Sequence, residues 1–197
     1  MSDLRVHKTK YINETKRVSF KYDGKNYFGY EGDTLASALL ANGVHLIGRS
    51  FKYHRPRGIM SCGSEEPNAI CQISDKNDLT EPNVRATELE IYDGLEAFSQ
   101  NCWPNVKFDI GGINNLISPL IPAGFYYKTF MWPKSFWKKV YEPLIRMSAG
   151  LGKSPTEPDP DIYDHKYVHY DVLVIGGGLS GIISAKMAAK SNLKTLL

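Results

Sequence analysis

The chain has 197 residues, 42% hydrophobic and 23% charged, with a formal net charge of +3 and a pI near 8.6. That balance excludes a chain dominated by disorder, and so small a positive excess does not argue for a nucleic-acid binder. No run of about 18 apolar residues occurs, so no segment is read as spanning a membrane. The polar start is no secretory leader, and three widely spaced cysteines (Cys62, Cys71, Cys102) read as reduced thiols of a cytoplasmic protein.

Residues 1–16 form a polar extension. Residues 17–22 alternate apolar and polar side chains, Asp23-Gly24 is hairpin-turn chemistry, and residues 25–30 return as a second strand. Asp33-Thr34 can cap a short helix over residues 35–41, which Asn42-Gly43 would end in the left-handed region. Residues 69–73 and 88–92 are further strand candidates. Hairpin, short helix, long loop and strands, spanning residues 17–98, follow the order of a ferredoxin-like β-grasp domain.

In a ferredoxin, the loop between the helix and the third strand carries cysteines in C-x₄-C-x₂-C spacing. Here that loop has Cys62 alone, so the expectation is a domain without an iron-sulfur cluster and without any other metal site. The loop carries Arg49, Lys52, Arg55 and Arg57 among Phe51, Tyr53 and His54. It suits a solvated basic loop pairing with Glu65 and Glu66. It suits equally a set of guanidinium forks facing a phosphate, a carboxylate or a partner subunit. The histidines (His7, His45, His54, His165, His169) show no helical metal-ligand pairing.

Residues 99–166 read as a connector. It holds an aromatic-rich run over 120–133, a helix over 135–147 that Pro143 would kink or split, and a Pro-rich linker over 150–160. From residue 167 an apolar β-branched run, Val172 to Ile175, leads into Gly176, Gly178 and Gly181 in G-x-G-x-x-G register, followed by helix-forming residues. That is the fingerprint of a dinucleotide-binding turn: one glycine for the sharp turn, one for close approach of a pyrophosphate, one for helix–strand packing. Leu179 and Ser180 would offer backbone N–H groups at the helix start. The fold class expected is α+β followed by α/β. The ferredoxin-like domain and aromatic connector precede the first βα unit of a Rossmann-like domain at 167–197, and the chain reads as the N-terminal piece of a larger protein.

Residues 49–58, 64–69 and 122–131, together with the glycine fingerprint after Asp171, resemble the alpha subunit of heterotetrameric sarcosine oxidase. The resemblance implies a cluster-less ferredoxin-like domain, then a domain holding NAD through Gly176, Gly178, Leu179, Ser180 and Gly181. It implies beta, gamma and delta partner subunits, with FAD and FMN in the complex. The implied reaction is oxidative demethylation of sarcosine to glycine, with O₂ reduced to H₂O₂ and the one-carbon unit passed to tetrahydrofolate. Because that chemistry is assigned to the beta subunit's flavin, no catalytic residue is expected here, and the piece alone would be inactive. A related flavin-dependent amine or amino-acid dehydrogenase subunit and a non-catalytic assembly module are the alternatives.

Overall fold

The structure is a computed structural model that describes residues 4–5, 9–74, 80–120, 124, 130–159 and 162–197. His7 and most of the aromatic-rich run over 120–133 lie outside the described residues. The chain divides into two compact units, Met1–Pro158 and Asp159–Leu197.

In the first unit, β1 (Asn13–Tyr22) and β2 (Lys25–Glu31) form the expected hairpin. Asp23 and Gly24 have φ of 46° and 73°, the two positive values that a two-residue turn matched to strand twist requires. The alternation along β1 turns Val18, Phe20 and Tyr22 inward. Helix α1 (Leu35–Ala41) is capped by Thr34, whose Oγ1 accepts from Ser37 N at 3.2 Å, and it buries Leu35, Ala36, Ala38 and Leu39 on the sheet. Gly43 closes it at φ 73°. Phe20, Leu35, Leu39 and Leu95 are all but inaccessible, and burial of each contributes roughly 1.5–3 kcal/mol.

A short β-ladder joins β3 (Gly48–Arg49) to β4 (Pro56–Arg57). The chain then supplies β5 (Ile70–Ser74), β6 (Thr80–Arg85) and β7 (Leu95–Ser99). The main sheet is mixed, in the order β2-β1-β7-β5-β6: β7 runs parallel to β1, and the other neighbours are antiparallel.

Two strands of the main sheet were not expected from the sequence, and one expected strand is absent. Strand β6 contains Pro82 and Asn83, the latter at φ 63°, and its ladder with β5 shifts register there. Pro is admissible because β6 is an edge. Strand β7 is central although Glu96 and Ala97 are poor strand formers, because Leu95 and Ala97 turn into the core. Residues 88–92 make only one bridge, Thr34 to Glu90. Their alternation is nonetheless used: Ile91 enters the core, while Leu89 O accepts Leu35 N at 2.8 Å and so satisfies a donor at the start of α1.

Further on come the 3₁₀ turn Ile110–Gly112 and α2 (Ile113–Leu116). The single helix expected over 135–147 is instead a 3₁₀ turn (Lys134–Phe136), a π-helical turn (Trp137–Tyr141) and α3 (Glu142–Ser148). Pro143 lies in the first turn of α3, where a missing N–H is harmless, so the change of helix type falls just before it.

The second unit, taken by itself, contains β8 (Val172–Leu173), α4 (Leu179–Lys190) and β9 (Thr195–Leu196). Strands β8 and β9 pair in parallel, Val172 with Thr195 and Leu173 with Leu196, and α4 is the crossover between them. Lys194 N donates to Asp171 Oδ2 at 2.8 Å, and Val174 N to Leu196 O at 2.8 Å.

Candidate functional site

The five residues singled out at the glycine fingerprint lie together on the turn between β8 and α4. Gly176 has φ 107°, a conformation that L side chains rarely adopt. Gly178 is the N-cap of α4 at φ −72° and ψ 178°, and no side chain bonds the helix start. A Cβ on Gly178 would meet no protein atom within 4 Å, whereas one on Gly181 would lie 1.8 Å from Gly176 O. The two positions are therefore glycine for opposite reasons. Gly181 is forced by the protein's own backbone, and Gly178 leaves open space before the amides of Leu179 and Ser180. Such first-turn N–H groups lack helical partners, and together with the helix dipole they favour an anion. The chain's residues at this turn thus fit a diphosphate.

The loop of the first unit is built differently from the expectation. Arg49 faces no open ligand site: Nε donates to Val106 O at 2.8 Å, Nη1 to His54 O at 3.1 Å and Nη2 to Lys107 O at 3.0 Å. Its rigid fork staples three backbone carbonyls. Arg55 Nε donates to Asn115 Oδ1 at 2.7 Å, and its guanidinium stacks on Tyr53. Glu66 pairs with none of these cations. It is 1% exposed, and it accepts from the amides of Met60 (2.7 Å), Ser61 (2.6 Å), Asn68 (2.8 Å) and Ala69 (3.1 Å). Burial pushes its carboxyl up, but the four backbone bonds outweigh this and hold it below the usual glutamate range.

His54 has a partner that the sequence does not announce. Its Nδ1 lies 2.6 Å from Oδ2 of Asp109, which is almost fully enclosed. The two residues are 55 positions apart, so no local pattern announces the pair. His165 and His169 are exposed and lie outside any helix, as expected.

All three thiols are free. Cys62 is exposed in the loop, Cys71 is buried in β5, and Cys102 lies 3.3 Å from Ser99 Oγ. Burial pushes the Cys71 thiol up to about 12, with Asp23 adding to the shift. Iodoacetamide at pH 8 is therefore expected to label Cys62 and spare Cys71 in the folded protein, as peptide mass spectrometry would read; rapid labelling of Cys71 would contradict this placement.

Comparison with known proteins adds what geometry cannot. Residues 15–102 match the family model of a 2Fe-2S iron-sulfur cluster binding domain. The whole chain is 53% identical to the sarcosine oxidase subunit alpha of Rhizobium meliloti (strain 1021). The chain is thus similar, over its whole length, to the N-terminal part of a sarcosine oxidase alpha subunit. Over 188 residues, 94% of the chain, it is 30% and 32% identical to the sarcosine oxidase alpha subunits of Corynebacterium sp. strains U-96 and P-1. It spans about a fifth of the length of the Rhizobium relative, and 14% of each Corynebacterium one. Among solved structures, L-proline dehydrogenase from P. horikoshii matches 48% of this chain and 17% of that chain at 23% identity, with a TM-score of 0.36, too distant to bear on function.

The match over 15–102 corrects one expectation. The domain is ferredoxin-like, as the order of its elements implied, but reading it as cluster-less is overturned, because the family model it matches is that of a 2Fe-2S cluster-binding domain. Cysteine spacing was an insufficient ground for the exclusion. Among the described residues no three His, Cys, Asp or Glu side chains form a metal-holding group, so these residues do not present a ligand set. Among the described residues, too, no helix is long and apolar enough to cross a membrane.

Proposed function

We propose that this chain serves a sarcosine oxidase complex as the part of its alpha subunit that joins a ferredoxin-like scaffold to a dinucleotide-binding turn, in the cytoplasm. Its partners would be the beta, gamma and delta subunits, with FAD and FMN held elsewhere in the complex. The parent reaction would be oxidative demethylation of sarcosine to glycine, O₂ going to H₂O₂ and the one-carbon unit to tetrahydrofolate. Support for the complex comes from the three sarcosine oxidase alpha subunits that the chain resembles along its length.

The observation that carries the binding role is the contrast between Gly178, open to space, and Gly181, closed against Gly176 O. In this reading β8 and α4 begin a Rossmann-like domain. Gly176 turns the chain, Gly178 admits a pyrophosphate to the backbone, and the amides of Leu179 and Ser180 donate to its oxygens. A bound NAD would supply a nicotinamide ring able to accept or return a hydride. The residues of this chain do the binding and orienting, and none of them is assigned a proton transfer.

Gly178→Ala tests the reading. Alanine tolerates the observed φ and ψ and meets no protein atom, so the melting midpoint of the full-length protein is expected to stay unchanged. NAD affinity, measured by titration, is expected to fall at least about tenfold, or 1.4 kcal/mol. Equal affinity in the variant, or no NAD binding by the parent protein, would refute the assignment.

A further inference from the structure

The helical stretch beside the basic loop is amphipathic in the inverted sense. The 3₁₀ turn Ile110–Gly112 runs on into α2, and the amide side chains of α2 tie it to the loop. Asn114 Nδ2 donates to Lys52 O at 3.3 Å, and Asn115 Oδ1 accepts from Arg55 Nε at 2.7 Å. At about 100° per residue, Asn114 and Asn115 share one side of the turn, and Ile113, Leu116 and Ile117 share the other. That other side is 59%, 79% and 42% exposed at its three residues. A surface helix ordinarily does the reverse, with its apolar stripe on the core and its polar side in water.

The segment before α2 extends the apolar face. Trp103 and Phe108 are each 67% exposed, and Ile110 is half exposed. They stand on an anchored frame. Ile110 N donates to Trp103 O at 2.8 Å, and Phe108 N to Asn105 Oδ1 at 2.9 Å. Asp109 Oδ1 accepts from Trp103 N (3.0 Å) and Gly111 N (3.1 Å). Large apolar side chains held outward by their own fold, with polar residues around them, mark an interaction site.

Charge at the edge decides what covers it. Residues 48–58 and 99–117 contain Arg49, Lys52, Arg55, Arg57 and Lys107, and a single acid, Asp109. The Asp109 side chain is enclosed and committed to His54, so the surface shows one sign. A second copy meeting it about a twofold axis would set these cations against themselves. A tethered continuation of the same polypeptide is already at high effective concentration, whereas a one-sign field acts by steering two separate molecules together.

We infer that residues 103–117, with the basic loop at their edge, dock a separate polypeptide whose surface offers an apolar socket ringed by Asp and Glu. The inference rests on the reading of this chain as part of an alpha subunit in an oxidase complex. The full-length alpha subunit, expressed alone and with its partner subunits, is oxidised with hydroxyl radicals and mapped by mass spectrometry. Trp103 and Phe108 are expected to be oxidised in alpha alone and to lose that oxidation in the complex. Leu116→Ser/Ile117→Ser, at two exposed positions, is expected to leave the melting midpoint of alpha alone unchanged and to weaken its binding to the partner subunits at least about tenfold. Lys107→Glu, also at an exposed position, is expected to slow association at least about tenfold at low salt, a gap that closes as ionic strength rises. Equal oxidation in alpha alone and in the complex would overturn the inference. So would protection already present in alpha alone, which would make the rest of the same polypeptide the occupant. Normal assembly of the Leu116→Ser/Ile117→Ser variant would overturn it as well; lost self-association or lost binding to phosphatidylserine vesicles in that variant would then name a second copy or a membrane instead. An alpha subunit that joins no partner at all would refute the complex reading too, whereas assembly with both rings still oxidised removes this inference alone.

Discussion

Gly181→Ala is expected to open the turn between β8 and α4 and to destabilise the second unit by about 3–5 kcal/mol, in the range reserved for severe overpacking and backbone conflict. The new Cβ would lie 1.8 Å from Gly176 O, a backbone atom that no rotamer change can move aside. Gly176 is itself held at φ 107°, so relief requires displacing the start of α4 from the end of β8. Amide exchange at Ile182, whose N–H donates to Gly178 O at 2.9 Å, and at the amides that follow it in α4 would read this directly in the full-length protein, with protection falling by two or more orders of magnitude, about 1.4 kcal/mol for each tenfold. Gly178→Ala should leave the same amides untouched. Protection in the 181 variant equal to that of the parent would show that the turn does not depend on this contact.

Glu66→Ala is the second large effect. A carboxylate 1% exposed and bonded to four backbone amides organises residues 60–69, and its removal leaves four backbone donors, that of Ala69 fully buried, without their acceptor. The expected loss is about 3–5 kcal/mol, read as exposure of the Met60, Ser61, Asn68 and Ala69 amides to exchange. Glu66→Gln keeps one carbonyl acceptor but turns an NH₂ toward amide donors, so it should recover only part of the loss.

The same residue sets an acid limit. Its folded-state carboxyl lies below the unfolded value near 4.5, so its stabilisation is fully present above that pH and lost as pH falls through the folded value. The difference in melting midpoint between the parent and Glu66→Ala should therefore hold from neutral pH to about 5 and shrink below 4.5. A difference that grew on acidification would refute the sign.

The hairpin, α1 and the glycine turn were legible in the sequence because each is specified by residues within a few positions. Asp23-Gly24 carries its own positive φ pair, and Thr34 reaches Ser37 three residues on. Strand β6 was not legible, since Pro82 and Asn83 are turn residues unless an edge position excuses the missing donor. Strand β7 was hidden by Glu96 and Ala97, whose place between β1 and β5 is decided by what Leu95 and Ala97 bury. Residues 88–92 misled in the other direction, their real alternation serving a helix start and the core instead of a ladder. Counting cysteines also misled, because residues 15–102 match the model of a 2Fe-2S cluster binding domain.

By itself, then, the sequence determined the locally encoded parts of this protein: the turn glycines, the capped helix, the inward face of β1 and the resemblance to sarcosine oxidase alpha subunits. Only the tertiary structure decided that Arg49 staples backbone carbonyls, that Glu66 is an internal anchor and that His54 meets Asp109. The physical reason is distance along the chain. Turn and cap chemistry is satisfied by near neighbours, whereas a charged side chain takes its role from whichever polar groups folding brings within about 3 Å.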